Sequence, residues 1–157
     1  MRRFLLSALV LLAALLPAAA QAAPVYVIRH LEKAAGDDPS LTERGAARAE
    51  QLAEVLAGAN LKAVFATATK RAQETGAPLA KRLGLTVTTY NPRDFDALTT
   101  AVAAAGGPVL IVGHSNTVAS LVAKFGGAKP PELTDADYGT LFVVHPGMTE
   151  VNRIELN

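Results

Sequence analysis

An α/β fold with a mostly parallel sheet is the architecture this sequence predicts, and three observations carry the prediction. Short apolar runs alternate with longer segments whose apolar positions repeat at helical spacing. The runs are continuous rather than alternating in polarity, as in strands buried on both faces. Of the 157 residues, 50% are hydrophobic and only 18% charged, which points to a packed core and excludes a disordered chain.

Taken in order, Val25 to Ile28 is a β-branched and aromatic run that reads as the first strand, followed by a polar loop from Arg29 to Ser40. Thr42 is placed to cap the next helix, whose stripe of Ala49, Leu52, Ala53 and Leu56 runs until Gly58 stops it. A second strand, Ala63 to Ala66, leads into a helix beginning near Lys70, and Pro78 is expected to kink or restart that helix before Gly84. The third strand covers Thr86 to Tyr90. Phe95 to Ala105 is an Ala-rich helix closed by Gly106 and Gly107, and Val109 to Val112 is the most apolar strand. A helix from Thr117 to Phe125 follows, again closed by paired glycines. Ala128 to Asp137, with Pro130 and Pro131, is expected to form a surface loop. Gly139 to Val144 and Glu150 to Leu156 complete the sheet, with His145, Pro146 and Gly147 turning between them.

Residues 1–22 stand outside this pattern. Arg2 and Arg3, the apolar run Phe4 to Leu16, Pro17 and the small residues of AAAQAA have the layout of a secretory signal peptide, and Ala20 and Ala22 place its cleavage after Ala22. One domain then spans residues 23–157, which is 157 less 22, or 135 residues, and a periplasmic or secreted location is expected. The apolar run falls short of the ~20 residues a span requires, so no stable membrane insertion is expected after cleavage. Without Arg2 and Arg3, 13 basic residues face 14 acidic ones, a balance that excludes the basic footprint of a nucleic-acid binder. There is no cysteine, hence no disulfide, and no H-E-x-x-H or acidic cluster at ligand spacing, so neither a metal nor another cofactor is expected. A monomer is the default for such a chain.

In open α/β sheets, ligands bind beyond the carboxyl ends of the strands. Strand one ends in Arg29-His30, strand two is followed by Thr67 and then Arg71, and strand four is followed by Gly113-His114-Ser115-Asn116. Two guanidinium forks suited to phosphate oxygens and two imidazoles able to act as nucleophile, acid or base can therefore meet at one sheet edge. That combination suggests a phosphoryl-transfer pocket. His145 reads as a turn residue.

These motifs resemble those of the histidine phosphatase superfamily, the phosphoglycerate mutase-like fold. VIRHLEK corresponds to its opening Arg-His-Gly motif, Leu41-Thr42-Glu43-Arg44-Gly45 to its Leu-Thr-x-x-Gly helix start, TATKRAQET to its Ser/Thr-x-x-x-Arg-x-x-x-Thr segment, and VLIVGHSNTVASLV to the region of its second histidine. The resemblance covers most of the chain after the signal peptide. Leu31 stands where the family usually has glycine, and Glu32 and Lys33 complete an RHxEK form associated with small bacterial members. The resemblance implies a three-layer sandwich with helices on both faces of the sheet, and a metal-independent phosphatase acting on a phosphorylated small molecule or phosphoprotein. His30 would attack as a neutral ring, its other nitrogen held by a carbonyl or similar acceptor, and would carry the phosphoryl group. Arg29, Arg71 and a protonated His114 would hold the phosphoryl oxygens, with Thr67 and Asn116 adding hydrogen bonds. The proton donor to the leaving oxygen is expected among Asp94, Asp96 and Glu32. The first two lie 23 and 25 residues after Arg71, where many members carry a carboxylate, and Glu32 lies two residues from His30, close enough to bind substrate as well. Hydrolysis is preferred to mutase chemistry, because a mutase retains its bisphosphate intermediate beneath enclosing insertions for which this chain has little length.

Two other functions fit parts of the pattern. GHSNT resembles a G-x-S-x-G nucleophile elbow with Thr117 in the last position, which would make Ser115 an esterase nucleophile served by Asp135 or Asp137 and His145. A phospholigand-binding module without turnover would keep the same pocket.

Overall fold

Strands that are apolar throughout can be buried only if both faces of their sheet are covered. The computed structural model describes residues 22–157, so the segment read as a signal peptide, Ala22 apart, lies outside the described residues. The elements are β1 (Val25–Arg29), α1 (Glu43–Val55), β2 (Ala63–Ala66), α2 (Lys70–Leu83), β3 (Val87–Thr89), α3 (Phe95–Ala105), β4 (Val109–Gly113), α4 (Ser115–Lys124), β5 (Thr140–Val144) and β6 (Val151–Glu155). One sheet has the order β3-β2-β4-β1-β5-β6. Its first four strands pair in parallel, and β5 runs antiparallel to both β1 and β6.

Successive residues of each strand face opposite sides, and the two sides have different covers. Ile28, Val64 and Val112 pack under α1 and α2 through Ala49, Leu52 and Leu79. Val27, Phe65 and Ile111 pack under α3 and α4 through Leu98, Val118 and Leu121. The result is the expected α/β architecture, a mostly parallel sheet flanked by helices. Each fully buried Leu, Ile or Val contributes about 1.5–3 kcal/mol, so the central strands β1 and β4 hold their carboxyl ends firmly. Among the described residues, no helix is long and apolar enough to cross a membrane.

Three local expectations are corrected. Pro78 neither kinks nor restarts α2, which runs unbroken from Lys70 to Leu83. Proline cannot donate to the Glu74 carbonyl, but that loss is offset by the burial of Ala72, Thr75, Leu79 and Ala80 on the same helix. Gly58 is not the residue that turns the chain after α1. The helix ends at Val55, and Asn60 adopts the left-handed conformation at φ 53°, which Asn tolerates better than most residues. Finally, α4 begins at Ser115 rather than Thr117, so that His114 itself is the N-cap.

Candidate active site

Strand register brings the site together before any side chain is considered. Arg29 lies opposite Gly113 and Ala66 opposite Val112, so His30, His114 and Thr67 leave three neighbouring strands at one level. The His30 N–H donates to the Gly113 carbonyl at 2.9 Å, and the two imidazole centroids are 5.3 Å apart at 65°. Both rings line a cleft of about 590 Å³ together with Arg29, Arg71 and the first turn of α4.

His30 is buried, 3% exposed, and its Nδ1 lies 2.9 Å from the Leu31 carbonyl. A carbonyl only accepts, so Nδ1 carries the hydrogen and Nε2 keeps its lone pair. The acceptor expected for the nucleophile is therefore present, and it belongs to the next residue. Leu31 is itself fixed three ways. Its N–H donates to Thr75 Oγ1 at 3.0 Å, the Thr75 hydroxyl donates to the Arg71 carbonyl at 2.7 Å, and its side chain is buried in the core beneath α1 and α2. A leucine in the family's glycine position thus anchors the loop through its side chain. The loop returns onto α1, where Thr42 caps the helix by accepting from Gly45 N–H at 3.1 Å. A Cβ on Gly45 would overlap the Glu32 carbonyl oxygen, which accounts for the glycine.

Burial lowers the His30 pKa to about 4, and the charges of His114, Arg29 and Arg71 act in the same direction against the Leu31 hydrogen bond. His114 is lowered to about 4 as well, by burial and then by Arg71 and Arg29. The expected protonated His114 is therefore not its state in the free site at neutral pH. Removing a cation from water beside two guanidinium groups disfavours it until an anion arrives. The ring is oriented by Thr67 Oγ1, 2.8 Å from Nε2, and its N–H of the main chain donates to Thr117 Oγ1 at 2.9 Å.

The arginines are not free. Arg29 is almost wholly buried, and its guanidinium donates to the carbonyls of Thr134 and Asp137, to Asp135 Oδ1 at 3.3 Å and to Tyr138 Oη at 3.2 Å. The Tyr138 ring lies over it at 4.1 Å. The expected surface loop is thus a strap across the Arg29 end of the cleft. Arg71 stands 3.6 Å from Asp38. In both arginines Nε is buried without a protein partner among the described residues. Unpaired buried donors are rare in proteins, and two on the lining of one cleft fit an anionic ligand.

The structure separates the other candidates. Asn116 and Ser115 line the cleft. Thr67 is buried and orients His114 instead of lining the cleft. Glu32 turns away to pair with Arg44 at 3.4 Å and with Arg48 on α1. Asp94 caps α3, accepting from Ala97 N–H at 2.9 Å, and Asp96 pairs with Lys124 on α4 at 2.7 Å. None of these three carboxylates lines the cleft, and each is held by the partner named above. Asp135 is the carboxylate that does line it. Sequence reasoning considered Asp135 only as an esterase residue and missed Tyr138. Thr75 was visible as the last residue of TATKRAQET, but without a role.

The esterase geometry fails. His145 follows β5, and Val144 lies opposite Val25, the residue at the far end of β1 from His30. A strand of five residues puts His145 on the order of 15 Å from the cleft. Among the described residues, no group of three or more His, Asp or Glu is placed to hold a metal ion.

Comparison with known proteins agrees with this geometry. A family model described as the histidine phosphatase superfamily (branch 1) matches residues 25–93, the stretch that carries His30 and Arg71. No curated protein matches the chain. Among solved structures, the protein histidine phosphatase SixA complexed with tungstate is 20% identical, with a TM-score of 0.65 over 84% of this chain and 96% of the other. The mycobacterial glucosyl-3-phosphoglycerate phosphatase with inorganic phosphate is 20% identical, with a TM-score of 0.60 over 85% and 95%. The alpha-ribazole phosphatase from Shigella flexneri is 18% identical, with a TM-score of 0.60 over 85% and 96%. At such identities the likeness is one of fold.

Proposed function

We propose that the chain, whose residues 25–93 match a family model of the histidine phosphatase superfamily, is a member of that superfamily and hydrolyses phosphate monoesters, or a phosphoprotein, through a phosphohistidine formed on His30. The observation that carries this reading is the hydrogen bond from His30 Nδ1 to the Leu31 carbonyl, which leaves Nε2 as a neutral nucleophile in a cationic cleft. Nε2 attacks phosphorus, the bond from phosphorus to the ester oxygen breaks, and the departing oxygen takes a proton. Asp135, on the lip of the cleft, is the carboxylate available to carry that proton. Water then attacks the phosphohistidine, releases phosphate and restores the ring.

Arg71, Asn116 and the N-terminus of α4 serve the phosphoryl oxygens. The helix terminus adds about half a positive charge where the anion sits. His114, neutral in the free site, takes up a proton when a phosphoryl dianion arrives, since a nearby anion favours the imidazolium. Arg29, fixed by the strap, supplies field and its unpaired Nε–H. No step in this scheme calls for a metal. Residues 1–22 are proposed to act as a signal peptide that exports the chain.

Phosphate release from p-nitrophenyl phosphate in EDTA, with His30→Ala alongside and rapid acid-labile trapping of phosphoenzyme, tests the reading. Turnover and trapped label are expected from the parent and neither from His30→Ala. Saturable binding of phosphate esters without release or label, across a panel of esters, would identify a binding module.

A further inference from the structure

Lys33 and Arg93 are the two cations of the cleft that the phosphoryl scheme does not use. Both are exposed and both line the same cleft as the buried His30. They reach it from separate loops, Lys33 three residues beyond the nucleophile and Arg93 in the turn between β3 and α3. The other two cations there have acidic neighbours, Arg29 in Asp135 and Arg71 in Asp38. Lys33 and Arg93 have no ion-pair partner among the described residues, and no acidic group other than Asp135 lines the cleft.

The charge balance follows. Four lining cations, Arg29, Lys33, Arg71 and Arg93, face Asp135 in the lining and Asp38 beside Arg71, which gives the neutral-imidazole cleft a formal +2, from four minus two. A phosphate monoester contributes at most two negative charges, so proton uptake by His114 leaves one positive charge in excess. The whole chain carries only +1, so this is a local concentration rather than a property of the surface. Unpaired cations at the mouth of a cationic cleft attract anions and disfavour neutral groups.

We infer that Lys33 and Arg93 form a second anion subsite at the mouth of the cleft, and that the substrate is a small phosphate ester carrying a second anionic group, a carboxylate or a further phosphate. The inference rests on the phosphatase reading for where the first phosphoryl group sits. The reacting phosphoryl occupies the floor between His30 and His114, and the second anion of the same molecule meets Lys33 and Arg93. A cleft of about 590 Å³ holds a molecule of sugar-phosphate size.

Binding to the His30→Ala chain, measured by calorimetry, separates this inference from catalysis. Two matched pairs supply two spacings, 3-phosphoglycerate against glycerol 1-phosphate and fructose 1,6-bisphosphate against fructose 6-phosphate. In at least one pair the doubly anionic member is expected to bind about tenfold more tightly, about 1.4 kcal/mol, with the ratio falling as salt is raised. In the His30→Ala chain that also carries Lys33→Gln and Arg93→Gln, the ratio is expected to fall to near one. Circular dichroism of that variant establishes that it is folded. Ratios near one in both pairs, no binding of any ester, or a ratio that survives the double substitution would overturn the subsite. Failure of the phosphatase reading shows separately, as absence of phosphate release from the unsubstituted chain whatever these ratios are.

Discussion

Substituting His30 with Gln should change how folding stability responds to acid. In the folded chain the His30 pKa is lowered to about 4 by burial, whereas an unfolded histidine titrates near 6.5. Between those values the unfolded chain binds the extra proton, so stability rises with pH. The contribution is complete above about pH 6.5 and is lost as pH falls toward 4. For one such ring, going from about pH 7.5 to about pH 5 removes on the order of 2 kcal/mol. The ring is 3% exposed, so solvent screening takes little from that figure. Urea unfolding followed by far-ultraviolet circular dichroism suits a chain without tryptophan. The parent should lose about 2 kcal/mol more than His30→Gln across this interval, while the carboxylates common to both cancel in the difference. Parallel stability curves would refute the reasoning, because they would mean that the folded site protonates His30 as readily as water does. The same depression predicts that kcat/KM of the free enzyme falls on the acid side near pH 4 rather than near 6.5.

Other substitutions probe the supports of the site. Thr75→Val leaves the Leu31 N–H buried without an acceptor, which should cost about 1–3 kcal/mol in urea unfolding and lower kcat/KM as the Leu31 carbonyl loosens from His30. Equal kcat/KM in the two proteins would show that Thr75 does not position the nucleophile. Asp94→Ala removes the cap of α3 and should cost about 0.5–2 kcal/mol with kcat within a factor of two of the parent. A large loss of kcat with normal stability would return Asp94 to the chemistry. Gly45→Ala forces a methyl group onto the Glu32 carbonyl. Thermal unfolding should report a loss of several kcal/mol, well beyond the ~1 kcal/mol that favours Ala over Gly in a helix, and an unchanged midpoint would mean that the loop moves aside freely.

Much of this protein was legible in the chain itself. The strands are continuous apolar runs whose burial requires helices on both faces, and strand ends in α/β sheets are where ligands gather. Arg29-His30, Arg71 and His114 could therefore be assigned to one edge from their places after those runs, and register confirms the meeting of the two histidines. Local signals also located the Thr42 cap and the turn at His145.

What sequence reasoning missed depends on partners distant in the chain. Glu32 looked like a site residue because it lies two residues from His30, yet its carboxylate is taken by Arg48 on α1, a partner from another segment. Asp94 sits in the window for a proton donor, but the start of α3 offered its carboxylate an unpaired N–H. Asp135 and Tyr138 reach the cleft across more than 100 residues of sequence, by contacts with Arg29 that no local spacing encodes. The charge states of His30 and His114 belong to the same class. An imidazole's residue type and position can be read from the sequence, but its proton affinity is set by how much water the fold removes and which cations it brings close. Sequence alone determined which groups stand at the carboxyl edge of the sheet. Only the tertiary structure decided which of them face the cleft and in what ionic form, because those properties arise from packing between segments far apart in the chain.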